Sequence, residues 1–299
     1  MACQDGVGLR KQALARMTTG TIVMRLMRSC EAVMPPGLLR SLLLPLVIPL
    51  ALRDLRQRVK LEAGWRHLRI SPPSRSRWFD ELVRFHLVRF IMFWPDRLAT
   101  PRWQQRIKFH GLAPIKASLA AGKPVVLVCL HHGPVHLLRY LLRAGGVPCA
   151  MVVLESRAER LAVREWKDSL SPPAGTPNVF CRDELKAMLR FMERGGCLLV
   201  AADYGRGKMI DVSFGPAMIQ VASGAFRLAE SVEAMVYSVS VQETLPWHFV
   251  VEAGAEVVPG TGELASSEKV LAVLAAKILA TPALMHSQLA DSLRERTGM

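Results

Sequence analysis

Acidic residues are scarce in the first third of this sequence. Residues 1–110 hold 7 Asp and Glu against 20 Lys and Arg, whereas the remainder is nearly balanced at 18 against 19. The basic residues there are not interleaved with Gly, Ser and stacking aromatics but with Leu, Ile, Val, Met and Phe, and no nucleic-acid-binding motif accompanies them. That argues against a nucleic-acid partner. It favours a membrane surface with anionic lipids, because apolar groups enter the acyl boundary while Lys and Arg meet the headgroups. The plainer alternative is that these charges only solvate exposed helix faces.

A long uninterrupted apolar run is missing too. Ser41–Leu52 is uncharged but 12 residues long, against about 20 needed to span a bilayer. Extending it towards Ala32 takes in Arg40 and the Pro35-Pro36 pair, and Pro45 and Pro49 weaken a straight helix. An interfacial or hairpin-like anchor is the preferred expectation, with a single span as the alternative. No cleavable signal peptide is expected, since the first apolar run comes late and lacks a small-residue cleavage site.

The six cysteines form no CxxC pair and no metal-ligand spacing. Cys129, Cys149 and Cys197 lie in apolar strand-like runs as small core residues, and a reducing compartment is expected. There is no internal repeat and no low-complexity tract.

What is present divides near residue 110, into a basic, apolar helical region (1–110) and an α/β core (111–299) that together form one domain. Helical periodicity predicts helices over 8–29, 37–62 and 77–94, with a break at Ser71-Pro-Pro-Ser. Beyond, Pro124–Leu130, Cys149–Leu154, Cys197–Ala202, Ala234–Val241 and Trp247–Glu252 read as strands, mostly continuous in apolar character as buried strands are. Helical patterns at 134–144, 157–169, 182–194, 219–231, 266–280 and 282–297 alternate with them. The fold class expected is α/β: a central, mostly parallel sheet flanked by helices, with an N-terminal helical membrane-associating region. Ser171-Pro-Pro-Ala-Gly-Thr-Pro is long enough for a mobile flap.

The most informative stretch is Ala121–Gly146. A buried strand ends at Leu130, His131-His132-Gly133 follows, and a helix begins near Pro134, a residue suited to a first helical turn. Sites in open α/β sheets gather at the carboxyl ends of strands, so His131 stands where a general base belongs, and its side chain titrates in the useful range. Gly133 permits a tight bend or a close approach of substrate. His132 and His136, four apart, have the spacing of a zinc-binding pair, but no Glu lies between them and no third ligand is placed; no metal site is expected.

Strand–His–helix in this setting resembles the lipid A biosynthesis acyltransferases, the late lauroyl/myristoyl transferases of the lysophospholipid acyltransferase superfamily. That family carries His-Phe-Gly-Asn-Trp-Glu, a form of the His-x4-acid motif; the matching positions here are His131, His132, Gly133, Pro134, Val135 and His136. Ile107–Gly122 resembles its lead-in. Arg194–Tyr204, then Phe214-Gly-Pro-Ala and Ser223–Ala229, resemble its later segments, the order holding over roughly residues 20–285. The resemblance implies an O-acyltransferase in which His131 deprotonates a lipid or lipid A-like hydroxyl that attacks an acyl thioester directly. The thioester would be carried by acyl carrier protein or CoA, as co-substrate, with no cofactor. A hydrophobic groove would hold the acyl chain, and backbone amides near Gly133 or a basic side chain would face the oxyanion. The implied location is the cytoplasmic face of the inner (plasma) membrane.

One departure matters: the family's acid is His136 here. A neutral imidazole at that position accepts a hydrogen bond from His131 but does not stabilise the imidazolium as a carboxylate does. Asp203, at another strand end, is the candidate to supply that charge; its other reading is a turn or helix cap. His132, Gly133, Arg206 and Arg227 are candidate substrate contacts: Arg206, with Lys208, for a headgroup or phosphopantetheine, and Arg227 for a phosphate. The altered motif keeps two further readings open: acylation of an aminolipid or specialised metabolite, and a catalytically silent lipid-binding homologue.

Overall fold

A computed structural model describes residues 26–153, 179–181, 183–205 and 207–295. The expected helix at 157–169 and the flap at 171–177 lie outside the described residues, as does most of the helix at 8–29.

The N-terminal region is helical. Helix α1 (Pro36–Asp54) carries a buried stripe, Leu39, Leu43, Val47 and Ala51, at a spacing of four, the period of one helix face. That stripe packs toward helix α3 (Arg75–Arg89). Pro45 and Pro49 sit within α1, on its exposed side, and the chain stays a single helix rather than the hairpin considered from sequence. Its 19 residues make it long and apolar enough to cross a membrane, by length and composition only. A 3-10 turn at Leu55–Gln57 separates α1 from helix α2 (Arg58–His67), so the single helix expected over 37–62 is two. Ser74 starts α3, its hydroxyl accepting from the Arg77 amide at 3.2 Å, as an N-cap does.

The core alternates strands and helices: β1 (Ile107–His110), α4 (Leu112–Ala120), β2 (Val125–Cys129), α5 (Val135–Ala144), β3 (Ala150–Val153), β4 (Val179–Cys181), α6 (Leu185–Met192), β5 (Cys197–Ala201), β6 (Met209–Phe214), β7 (Ala217–Ala222), α7 (Gly224–Ser231), β8 (Met235–Leu245), β9 (His248–Val257), α8 (Glu263–Ala280), α9 (Ser287–Ser292) and β10 (Leu293–Arg294). Among the described residues, seven strands form one sheet in the order β1-β9-β8-β2-β5-β3-β4. Only β8 and β9 run antiparallel; every other pairing is parallel. A smaller antiparallel sheet, β10-β7-β6, lies beside it.

Strand β2 shows why the sheet is central. Val126, Val128 and Leu130 join one core with α7, α8 and the small sheet, while Val125, Leu127 and Cys129 join another with α4, α5 and Trp103. Both faces are buried, so its sequence is continuously apolar.

Two further sequence expectations are corrected. Residues 217–222, the last four of them within the helix expected at 219–231, are strand β7, and the helix begins at Gly224. Ala217-Met-Ile-Gln-Val-Ala buries alternate residues against β6, a period of two that a helical reading obscured. The helix expected at 282–297 breaks into a 3-10 turn at Pro282–Leu284, α9 and β10. Strands β1 and β4 are not expected from the sequence: β1 is four residues with Lys108 and His110 on alternate positions, and β4 is three residues long.

Candidate active site

The site is set by strand register. β2 and β5 are parallel neighbours with Cys129 opposite Ala201. Two residues on, the same side of each strand is reached again, so His131 and Asp203 project beside one another at the carboxyl ends. Ala202 extends the pairing, its amide donating to the Cys129 carbonyl at 3.0 Å.

His131 Nδ1 lies 3.0 Å from Asp203 Oδ1, and the His131 amide donates to Asp203 Oδ2 at 2.9 Å. A carboxylate only accepts; Nδ1 is therefore the protonated ring nitrogen, and Nε2 carries the free lone pair. The Asp203 side chain is fully buried while that of His131 remains 20% exposed. The carboxylate is thus held inside and the imidazole faces outward. Tyr204, largely exposed, sets its ring edge-on to His131 at 5.8 Å between centroids.

The His131–Gly133 loop is clamped by residues 281–286, a segment that nothing in the sequence tied to the site. Gly133 donates its amide to the Leu284 carbonyl at 2.8 Å, and the His286 amide donates to the His131 carbonyl at 3.0 Å. His132 Nε2 stands 2.9 Å from the Thr281 carbonyl, and Trp65 Nε1 donates to the Pro282 carbonyl at 3.1 Å. Gly133 adopts φ +61°, and a Cβ there would meet the Val241 carbonyl at 2.7 Å; glycine is required on both counts. Because the Gly133 amide is committed to Leu284, and the His132 amide to Leu130 at 2.8 Å, neither is free in this arrangement for an oxyanion.

His136 does not stand in the acid's place. His131 turns to Asp203 instead, and His136 packs edge-on against Phe85 at 5.5 Å, its Nε2 buried without a hydrogen-bond partner among the described residues. Burial, with Arg89 as a smaller cause, pushes the His136 ring down to about 3. His132 falls to about 4, chiefly by desolvation and despite the Thr281 carbonyl. His286, whose ring is 6.3 Å from that of His131 and 4.9 Å from Phe85, falls to about 3, by desolvation first and then by the neighbouring histidines. Three neutral imidazoles therefore surround the one paired with a carboxylate.

Of the other candidates, Arg227 is exposed on α7, and Lys208 pairs with Glu263 at 3.8 Å. Arg206 lies outside the described residues. Cys129 and Cys197 thiols are driven well above their ordinary range and Cys149 to about 12, all mainly by burial, which keeps them from serving as thiolates. Among the described residues, no three His, Cys, Asp or Glu side chains stand close enough together to hold a metal ion.

A cavity of about 210 Å³ adjoins the loop, walled by Gly133, Pro134 and His286 on one side and by α2 and α3 on the other.

No protein-family model matches the chain, and no curated protein sequence matches it. Among solved structures the chain is similar to the 1-acyl-sn-glycerophosphate (LPA) acyltransferase PlsC from Thermotoga maritima, at 15% identity and a TM-score of 0.38, over 82% of this chain and 96% of that one.

Proposed function

We propose that this protein is an O-acyltransferase of a membrane surface, moving a fatty acyl group from an acyl carrier protein or CoA thioester to the hydroxyl of a membrane lipid or lipid A-like glycolipid. The observation that carries this reading is the His131–Asp203 pair, 3.0 Å apart at adjacent strand ends with the ring partly exposed. His131 Nε2 takes the hydroxyl proton as the oxygen attacks the thioester carbon. The tetrahedral adduct then collapses, the C–S bond breaks, and the imidazolium returns its proton to the leaving thiolate. Asp203 fixes the tautomer and stabilises the imidazolium between the two steps. No acyl-enzyme is invoked, in keeping with thiols that burial holds protonated.

Membrane attachment has its own support. Beside the buried stripe, α1 exposes Leu38, Leu42, Leu46, Ile48 and Leu52, and the flanking region carries the chain's basic excess. An apolar face bordered by cations suits an anionic bilayer.

The test is transfer from labelled acyl thioesters into extracted membrane lipid. Wild type is expected to label a lipid and His131→Ala to lose at least a hundredfold in rate. Equal labelling by the two proteins would remove His131 from the chemistry. No labelling with any donor would favour a silent lipid-binding homologue.

A further inference from the structure

We propose that a groove at the amino ends of β3 and β5 is a second binding site, taking a phosphate monoester that carries an apolar body. The groove measures about 540 Å³, and its wall includes Arg190 and Arg194 together with Leu119, Pro148, Phe180 and Phe191. Pro148 shortly precedes β3, and Cys197, also on the wall, opens β5. His131 and Asp203 stand at the opposite, carboxyl ends of their strands. Asp203 follows Cys197 by six residues, roughly 20 Å along an extended chain. The groove is therefore separate from the site that holds the histidine.

Two observations point to the ligand's chemistry. The first is the sign of the wall. Arg190 and Arg194 are its charged side chains, and among the described residues no carboxylate lines it. The two lie one helical turn apart. Arg190 Nε donates to the Lys186 carbonyl at 3.3 Å, and Arg194 Nε to the Arg190 carbonyl at 3.1 Å. Each guanidinium is thus tethered by one nitrogen, and among the described residues neither has an acidic partner. Glu193 is exposed, off the wall, and pairs with neither. A carboxylate is satisfied by the fork of one guanidinium. A phosphate monoester brings nearly two negative charges and three accepting oxygens, and so engages two. The second observation is the surface beside the charges. Phe180 and Phe191 pack ring against ring, 5.4 Å apart at 49°, and with Leu119 and Pro148 they make the remaining wall apolar. A bare anion would leave that surface in water, whereas a ligand with an apolar body covers it.

The experiment is titration calorimetry on the full chain at about pH 8, where an alkyl phosphate is a dianion, with every probe below its micellar range. Decyl phosphate is expected to bind saturably, one per chain, and at least about tenfold more tightly than decanoate, inorganic phosphate or decyltrimethylammonium. Decanoate tests the second charge, inorganic phosphate the apolar body, and the ammonium the sign. The double variant Arg190→Gln/Arg194→Gln is expected to weaken decyl phosphate binding at least about tenfold. Lys186→Gln makes the same change of charge one turn earlier and off the wall; it is expected to change affinity less than about threefold, as a screened surface charge does. All three positions are exposed, and unchanged melting temperatures show the variants folded. The proposal is overturned if decyl phosphate does not bind saturably, or if any other probe matches it. It is overturned equally if the arginine variant binds as wild type does, or if Lys186→Gln loses as much as that variant. Binding is read without turnover and leaves His131 untouched, so the outcome is independent of the acyl-transfer reading.

Discussion

Asp203 uses both carboxylate oxygens on a single residue, accepting from the ring of His131 and from its backbone amide. The ring is thereby fixed in tautomer and direction by one buried side chain from the neighbouring strand.

Asp203→Asn is therefore expected to preserve the loop but lower kcat by about three to four orders of magnitude, through the wrong tautomer and an unstabilised imidazolium. His136→Phe, at a position that touches Phe85 instead of His131, is expected to change kcat less than about tenfold. Steady-state rates on the labelled-thioester assay distinguish the two; the reverse order would return the acid's role to position 136.

His136→Glu restores the acid of the resembled motif, yet no gain in turnover is expected because Asp203 already holds Nδ1. A carboxyl group placed in a buried, aromatic-walled position is costly, so the melting temperature should fall, by an amount equivalent to at least about 1 kcal/mol. An increase in kcat would mean that position 136 reaches His131 in the working enzyme.

Acid should destabilise this fold early. His132, His136 and His286 are held near 4, 3 and 3, whereas an unfolded histidine titrates near 6.5. Below pH 6.5 the unfolded chain binds protons that the folded chain refuses, so stability falls as pH falls and levels off only below the folded values. Each histidine contributes on the order of 1.4 kcal/mol per pH unit in that window, and three together remove several kcal/mol by pH 5. Calorimetric scans from pH 7 to 5 should show a steep drop in Tm, made shallower by His136→Phe. A flat profile would contradict the burial of these rings.

Gly133→Ala is expected to cost about 2–4 kcal/mol in stability, from positive φ together with a Cβ at 2.7 Å from the Val241 carbonyl. Because the same turn aims His131, residual activity in folded protein should drop as well. Denaturant titration with a parallel rate measurement checks both.

Replacing Leu38, Leu42 and Leu46 together with Ser should weaken binding to anionic vesicles by tenfold or more, given roughly 1.5–3 kcal/mol per buried leucine. The core stripe at Leu39, Leu43 and Val47 is untouched, so Tm should hold. Co-sedimentation with vesicles reads the effect; unchanged binding would free α1 of a membrane role.

The sequence by itself determined the strand–His–helix turn and the mostly parallel sheet, because continuous apolar strands and helical periodicity are local signals. It did not show the β6–β7 hairpin, whose second strand ran into a stretch with helical periodicity. It raised Asp203 only as one strand end among several. What decided that Asp203, and not His136, meets His131 is the register of β2 against β5, a relation between residues 72 positions apart that no local pattern encodes. Tertiary structure alone likewise brought Thr281–His286 onto the His131–Gly133 loop. Burial and pairing belong to the packed chain, and a residue's type and neighbours in sequence do not fix which partner it meets.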